Sequence, residues 1–229
     1  MPAEALAAVD TVRDKRIFMV PGVVAFTAAA LAMIFVLSVI APRSVIWLIG
    51  SPGLSPSRFF AGPAGAGGYW AWASPLFTHV LLHAGIAHLL FNGLWLIVFG
   101  SPLARRLRSP VRFVSFFLLC GAAGGLFYAI LNARDSAFLI GASGGVTGLL
   151  GGLVRFAFQN PARGSLPRHR LPLGDRSVLS WSAVVIALNA SIAVFGPGFG
   201  AGDANVAWQA HIGGFLFGLV AFPLFDRRA

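Results

Sequence analysis

A serine surrounded by glycines is the first group in this sequence that could do chemistry. Residues 141–152 read GASGGVTGLLGG, and Ser143 lies there in a stretch without charged side chains. Glycines beside a serine at the start of a helix leave backbone N–H groups uncovered, and such groups can stabilise a developing oxyanion. Because Gly, Ala and Ser are also the ordinary packing residues of membrane helices, this stretch alone fits either a nucleophile or a packing surface.

Polar side chains in two other apolar segments widen the set of candidates. The segment LLHAGIAHLLFN contains His83, His88 and Asn92, and the segment AHIGGFLFG contains His211. Polar groups inside a membrane are costly and indicate function, and a histidine can be the base that activates a serine. On one continuous helix, His88 and Asn92 would point at the same site, whereas His83 would lie about 140° from His88 and face a different neighbour.

The composition indicates that these groups lie in a membrane. Of the 229 residues, 57% are hydrophobic and only 10% are charged, and the mean hydropathy is +0.81. A soluble domain needs far more surface charge than this. The net charge of +10 does not indicate a nucleic-acid partner, because the basic residues lie between apolar segments and do not alternate with exposed aromatic residues.

Six segments are long enough to cross a hydrocarbon core, which takes about 20 apolar residues per helix. They are 18–41, 76–103, 112–132, 141–158, 178–196 and 206–225. The prediction is an all-α, polytopic membrane protein with a membrane domain over 17–225, a short N-terminal segment 1–16 and a tail 226–229. The outer loop covers 42–75 and the inner loop 160–177.

Basic residues predict the orientation, because Lys and Arg collect on the cytoplasmic side of a membrane. With the N-terminus inside, all 17 basic residues except Arg43, Arg58 and Arg134 fall on the inner side. Both termini are therefore expected in the cytoplasm. The second, fourth and sixth helices then run inward, and their polar groups share one depth in the outer half of the bilayer. The fourth helix is the shortest, so we expect 133–140 to dip into the membrane to meet it.

Small residues predict which helices touch. Gly144 and Gly148 lie four residues apart on the fourth helix, and Gly214 and Gly218 repeat this spacing on the sixth. Two such stripes let two backbones touch, which would bring the histidine of the sixth helix within reach of Ser143.

Taken in order, these blocks resemble the rhomboid family of intramembrane serine proteases. The match rests on His83-x4-His88-x3-Asn92, on GASG around Ser143 and on AHIGGFLFG around His211. The resemblance implies a six-helix rhomboid-like bundle of the basic bacterial type. It also implies a serine endopeptidase that uses a Ser–His dyad and needs no cofactor and no metal.

The resemblance implies a role for each residue of the blocks. Ser143 would attack the scissile carbonyl, and His211 would act as general base and then as acid. His88, Asn92 and the backbone N–H of Ser143 would face the oxyanion, and His83 would be structural. The supporting small residues would be Gly141, Gly144, Gly148, Gly214 and Gly218.

The resemblance further implies substrates that are single-span transmembrane proteins, cleaved within or beside their helix in the lipid bilayer. The active site would open to the outer side, and a bacterial inner membrane is the expected location. Two departures from the family pattern stand out. Ser74 and Pro75 occupy the place of a Trp-Arg pair in the outer loop, and Thr147 occupies that of an aromatic ring that stacks on the catalytic histidine.

Two other functions stay open on the sequence. A rhomboid-like protein without proteolytic activity could bind membrane clients, and the two departures favour it. A metal or proton transporter could use His79 and His83, which are four residues apart, together with His88. A zinc metalloprotease of the usual kind is excluded because the sequence has no HExxH motif.

Overall fold

A computed structural model of the protein describes residues 19–158, 169–195 and 206–227. Within these ranges the regular secondary structure is helical, and one isolated antiparallel bridge joins Leu54 and Leu139. The predicted N-terminal segment 1–16, residues 160–168 of the inner loop and the last two residues of the tail lie outside the described residues.

The helices follow one another in an order that matches the six predicted membrane segments. They are α1 (Gly22–Ile40), α2 (Pro42–Ile49), α3 (Pro56–Phe60), α4 (Gly62–Ala66), α5 (Tyr69–Ala73), α6 (Pro75–Thr78), α7 (Ile86–Leu107), α8 (Pro110–Leu131), α9 (Ser143–Val154), α10 (Arg176–Phe195) and α11 (Trp208–Phe225). Four of them, α1, α7, α8 and α11, are long and apolar enough to cross a membrane, whereas α9 and the apolar part of α10 are shorter. The predicted all-α membrane bundle is confirmed.

The shortest of the six, α9, lies at the centre of the bundle. It has 12 residues, which gives a length of about 18 Å and falls short of a hydrocarbon core of about 30 Å. It packs against α11, α8 and α7, and most of its residues are buried. The predicted helix over 141–158 was therefore too long at both ends. A central helix covered on several sides needs no apolar outer face of its own, which explains why glycine dominates it.

Backbone contact joins α9 to α11. A Cβ atom built on Gly214 would collide with the carbonyl group of Gly144, and one built on Gly218 would collide with that of Gly148. Only glycine leaves room for a carbonyl oxygen at this position, so the two stripes of small residues let the helix axes approach closely.

The predicted second helix is interrupted, so the continuous helix expected over 76–103 is wrong. A 3-10 turn over His79–Leu81 follows α6, and α7 begins only after an extended stretch. A competing hydrogen bond accounts for the break. The carbonyl of His79, which a helix would pair with the N–H of His83, accepts the N–H of Gly141 at 2.9 Å. His79 and His83 therefore precede α7 and do not lie on it.

The outer loop is held by hydrogen bonds from Ser74, which occupies one position of the Trp-Arg pair, and from Trp72 two residues earlier. The hydroxyl of Ser74 is buried and donates to the carbonyl of Ile49 at 2.7 Å. The indole N–H of Trp72 donates to the carbonyl of Phe59 at 2.8 Å, and the two rings stack with centroids 5.7 Å apart. The segment before α6 is thereby tied to α2 and α3 without a cationic side chain at position 75.

Arginines predicted for the inner side hold the C-terminal end of α11. Pro223 lies within α11 and has no N–H, so the carbonyl of Leu219 loses its helical donor. The guanidinium of Arg155 replaces that donor, with Nη1 2.7 Å from the Leu219 oxygen. Arg106 forms a fully buried ion pair with Asp226 at 2.8 Å, just beyond the helix. The basic residues from which the membrane orientation was predicted thus also bond to a backbone carbonyl and a carboxylate at this end of α11.

We expect Gly218→Ala to lower the free energy of unfolding by about 1–3 kcal/mol, the usual cost of overpacking, because the added methyl group would collide with the carbonyl of Gly148. Gly93→Ala on α7 is the matched control, since a Cβ atom there meets nothing within 4 Å. That change should stabilise slightly through the lower entropy of the unfolded chain. Unfolding in mixed detergent micelles measures both variants, and equal effects would contradict a steric role for the α9–α11 glycines.

Candidate active site

Ser143 is the first residue of α9, and Gly141 shapes the backbone just before it. Gly141 has a φ of +122°, and a Cβ atom built on it would lie 2.7 Å from Nε2 of His88 and 3.9 Å from Oγ of Ser143. Only glycine adopts this conformation readily and leaves this space. The imidazole of His88 and the hydroxyl of Ser143 therefore flank the same point in the structure.

The strand-like stretch before Ser143 is anchored to the outer segments. Leu139 and Leu54 exchange backbone hydrogen bonds of 2.8 and 3.0 Å, and the N–H of Gly141 donates to the carbonyl of His79. Ala142 is fully buried. The position of the serine is thus set by the loop that precedes α7 as well as by α9 itself.

The hydroxyl of Thr147 lies within hydrogen-bond distance of carbonyls on both helices, and its single proton is shared between those of Ser143, Gly144 and His211. Its Oγ1 lies 2.9 Å from the carbonyl oxygen of Ser143 and 3.0 Å from that of His211. Ala210, the residue before His211, is buried with its carbonyl oxygen 3.2 Å from a Cβ atom built on Gly144. The first turns of α9 and α11 therefore lie side by side, and the residue that replaces the aromatic ring of the family pattern bridges them.

His88 and Asn92 lie on one face of α7, as their spacing predicts. The side-chain N–H of Asn92 donates to the carbonyl of His88 at 2.9 Å, and Asn92 is buried. The N–H of Ala84 donates to Nδ1 of His88 at 3.4 Å. A ring nitrogen that accepts a hydrogen bond leaves the proton of a neutral imidazole on the other nitrogen, so Nε2 is the donor that faces Gly141.

His83 contacts His88, which corrects the expectation that it faces a different neighbour. The two ring centroids are 5.0 Å apart and the rings meet edge to face at 68°. The expectation was wrong because it assumed a continuous helix, whereas the helix is interrupted before Ile86, with Leu82 and Gly85 in extended conformation. His83 is buried, and both of its ring nitrogens lack a hydrogen-bond partner among the described residues.

The histidine pair considered for a transporter does not share a helix face. His79 lies in the 3-10 turn, and its Nδ1 is 2.8 Å from the carbonyl oxygen of Pro75. In the part of the chain that the structure describes, no group of three His, Cys, Asp or Glu side chains could hold a metal ion.

Asn189 is a contact of the candidate base that the sequence analysis missed. It lies on α10, and its Oδ1 is 3.0 Å from Nδ1 of His211. A signal was present in the sequence, since Asn189 is a polar amide inside an apolar segment. The polar residues singled out in the sequence lie in the second, fourth and sixth predicted helices, whereas Asn189 lies in the fifth.

The sequence model for the Rhomboid domain matches residues 67–228, which is most of the chain. The chain belongs to the rhomboid family. The match begins in the outer loop and includes α6 to α11, so it covers every residue of the candidate site. This rhomboid is accordingly an integral membrane protein.

Curated relatives with rhomboid names align with a large part of this rhomboid. Rhomboid protease GluP of Bacillus subtilis is 33% identical over 146 residues, 64% of this chain and 25% of its own length. Putative rhomboid protease YdcA of the same species is 28% identical over 168 residues, 71% of this chain and 73% of its own. Rhomboid-related protein 2 of Mus musculus is 31% identical over 155 residues, 66% of this chain and 48% of its own. The chain thus spans only about a quarter of GluP.

We expect Thr147→Val to lower the free energy of unfolding by about 1 kcal/mol, the usual net value of one hydrogen bond, because valine keeps the shape but has no hydroxyl to donate to the carbonyl of Ser143 or His211. Thr147→Ser keeps the hydroxyl and is the matched control. Detergent unfolding of both variants measures the difference. Equal stabilities of the two variants would contradict the bridging role.

Proposed function

We propose that this protein is an intramembrane serine endopeptidase that cleaves the transmembrane helices of membrane-protein substrates with a Ser143–His211 dyad. The observation that carries the proposal is the position of the Thr147 hydroxyl, which lies within hydrogen-bond distance of the backbone carbonyls of both residues, so that the nucleophile and the base lie side by side at the start of two helices in backbone contact. Family membership and the relatives named rhomboid protease support it.

In the proposed reaction, Ser143 acts as the nucleophile and His211 as the base. Nε2 of His211 takes the proton of the hydroxyl while Oγ attacks the scissile carbonyl carbon. The tetrahedral intermediate collapses, the C–N bond breaks, and the imidazolium returns its proton to the leaving amine. A water molecule then attacks the acyl-enzyme with His211 again as base, which frees the second product and restores Ser143. No cofactor takes part in these steps.

Three donors stabilise the oxyanion in this proposal. Nε2–H of His88 lies beside Gly141, next to the hydroxyl of Ser143. The side chain of Asn92 uses one N–H on the carbonyl of His88 and has a second N–H to offer. The backbone N–H of Ser143 belongs to the first turn of α9, where it has no helical acceptor. Preorganised donors of this kind contribute the largest share of the rate in acyl transfer.

The pattern of burial supports access for a peptide. Ser143, His88 and His211 are all partly exposed, whereas Ala142 and Ala210 beside them are buried. The reacting side chains are thus reachable from one side, and we propose that water and an unwound substrate segment approach them there. We assign that opening to the outer side of a bacterial inner membrane, with both termini in the cytoplasm, on the distribution of basic residues in the sequence. Substrates are single-span transmembrane proteins.

The test is cleavage of a single-span substrate that carries a small residue and a helix-breaking stretch near its outer boundary, reconstituted with the protein in proteoliposomes. Ser143→Ala and His211→Ala should each lower kcat/KM by about 10³-fold or more, because the members of a Ser–His unit act together. Ser191→Ala is the matched control, since its hydroxyl bonds only to the carbonyl of Leu188 in its own helix, and it should cleave like the native chain.

Each outcome decides between the proposed functions. Undiminished cleavage by Ser143→Ala would contradict the serine mechanism. Binding of the substrate without any cleavage by the native chain would favour the client-binding alternative. Loss of cleavage on treatment with a metal chelator would contradict a mechanism without metal.

A further inference from the structure

One amide side chain from a third helix contacts the ring of the candidate base. Asn189 lies on α10, and its side chain is buried in the bundle. Its Oδ1 lies 3.0 Å from Nδ1 of His211, which is hydrogen-bond distance. A buried amide in an apolar helix is costly unless its polar atoms are paired, so this contact needs an explanation beyond packing.

A second hydrogen bond fixes which end of the amide faces the histidine. Nδ2 of Asn189 donates to the carbonyl of Val185, one turn earlier on α10, at 2.9 Å. The oxygen is therefore the end that points at His211. Because an amide oxygen only accepts hydrogen bonds, Nδ1 of His211 must carry the proton. In a neutral imidazole, Nε2 is then the nitrogen with the free lone pair.

We propose that Asn189 is a positioning residue that holds His211 in the Nδ1–H tautomer, with Nε2 free to accept the proton of Ser143. This inference rests on the dyad assignment of the proposed function and names the third member that orients its base. A base whose far nitrogen is held by an acceptor is locked in both tautomer and ring rotation.

The two contacts of His211 have separate roles. Thr147 holds the backbone carbonyl of His211 and so sets the position of the residue. Asn189 holds the ring and so sets its rotation and protonation. When His211 becomes an imidazolium during the reaction, Nδ1–H stays bonded to the amide oxygen. The dipole of that amide favours the charge without a carboxylate, which fits a site whose described helices carry none near His211.

The same face of α10 offers a matched control. Ser182 lies seven residues before Asn189, which is two helical turns and the same face. Its hydroxyl is buried and has no hydrogen-bond partner among the described residues. Ser182→Ala therefore removes a buried polar group from the α10 face without touching His211.

The first measurement is the tautomer of His211 by nitrogen NMR on the full chain with labelled histidine, in lipid nanodiscs at about pH 8, where an ordinary histidine is neutral. The chain has five histidines, and the signal that disappears in His211→Ala identifies the ring. We expect Nδ1–H in the native chain, in Ser182→Ala and in Asn189→Asp, which keeps an acceptor oxygen. Asn189→Leu, which has a similar volume and no acceptor, should lose this preference.

The second measurement is the kinetics of cleavage. Asn189→Leu should lower kcat about tenfold, the value of one hydrogen bond, with KM unchanged because the substrate does not touch Asn189. Asn189→Asp should recover most of the loss, and Ser182→Ala should behave as the native chain.

The results separate this inference from the dyad assignment. An Nε2–H tautomer in the native chain, or an Nδ1–H tautomer that survives Asn189→Leu, would overturn the role of Asn189 whether or not the protein cleaves. A changed tautomer with native kcat would overturn it as well. Full cleavage by His211→Ala would instead overturn the dyad, while the tautomer result would still stand as a structural fact.

Discussion

The close backbone contact between α9 and α11 is the constraint on which the rest of the structure depends. Carbonyl groups of Gly144 and Gly148 occupy the space that side chains at Gly214 and Gly218 would take. In lipid, helices gain little from apolar burial alone, so close approach and the polar bonds that it permits must stabilise the pair. The hydroxyl of Thr147 can reach both helices only because they lie this close. A wider spacing would separate the serine of α9 from the histidine of α11.

Two segments around this helix pair depart from regular helical structure, and each departure positions a specific polar group. The chain breaks its helix before α7, and the carbonyl of His79, which also accepts the N–H of Leu82, holds Gly141 beside the serine. The same break lets the rings of His83 and His88 meet 5.0 Å apart. At the other end of the bundle, Pro223 costs α11 a hydrogen bond that Arg155 restores. Departures from regular secondary structure are common at functional sites, and here the backbone carbonyl exposed by each departure accepts a hydrogen bond from another segment.

The sequence predicted much of this arrangement because hydropathy and small-residue spacing are properties of single segments. Six apolar runs, the glycine stripes and the pairing of His88 with Asn92 required no knowledge of neighbours. Asn189 could not be assigned a role in this way, because the contact that suggests its role is with the ring of His211 on a different helix. The break before α7 could not be predicted for the same reason. The segment 76–103 is predominantly apolar along its whole length, and the N–H of Gly141 that bonds to the carbonyl of His79 is far away in sequence.

The most direct measurement is the position at which a fluorophosphonate modifies the folded protein in lipid, mapped by mass spectrometry. A serine reacts with such a reagent only when a neighbouring base takes up its proton. We expect the adduct on Ser143 in the native chain and its loss in His211→Ala. Modification of a different serine, or equal modification of Ser143 without His211, would show that the contact of α9 with α11 does not create the reactive site.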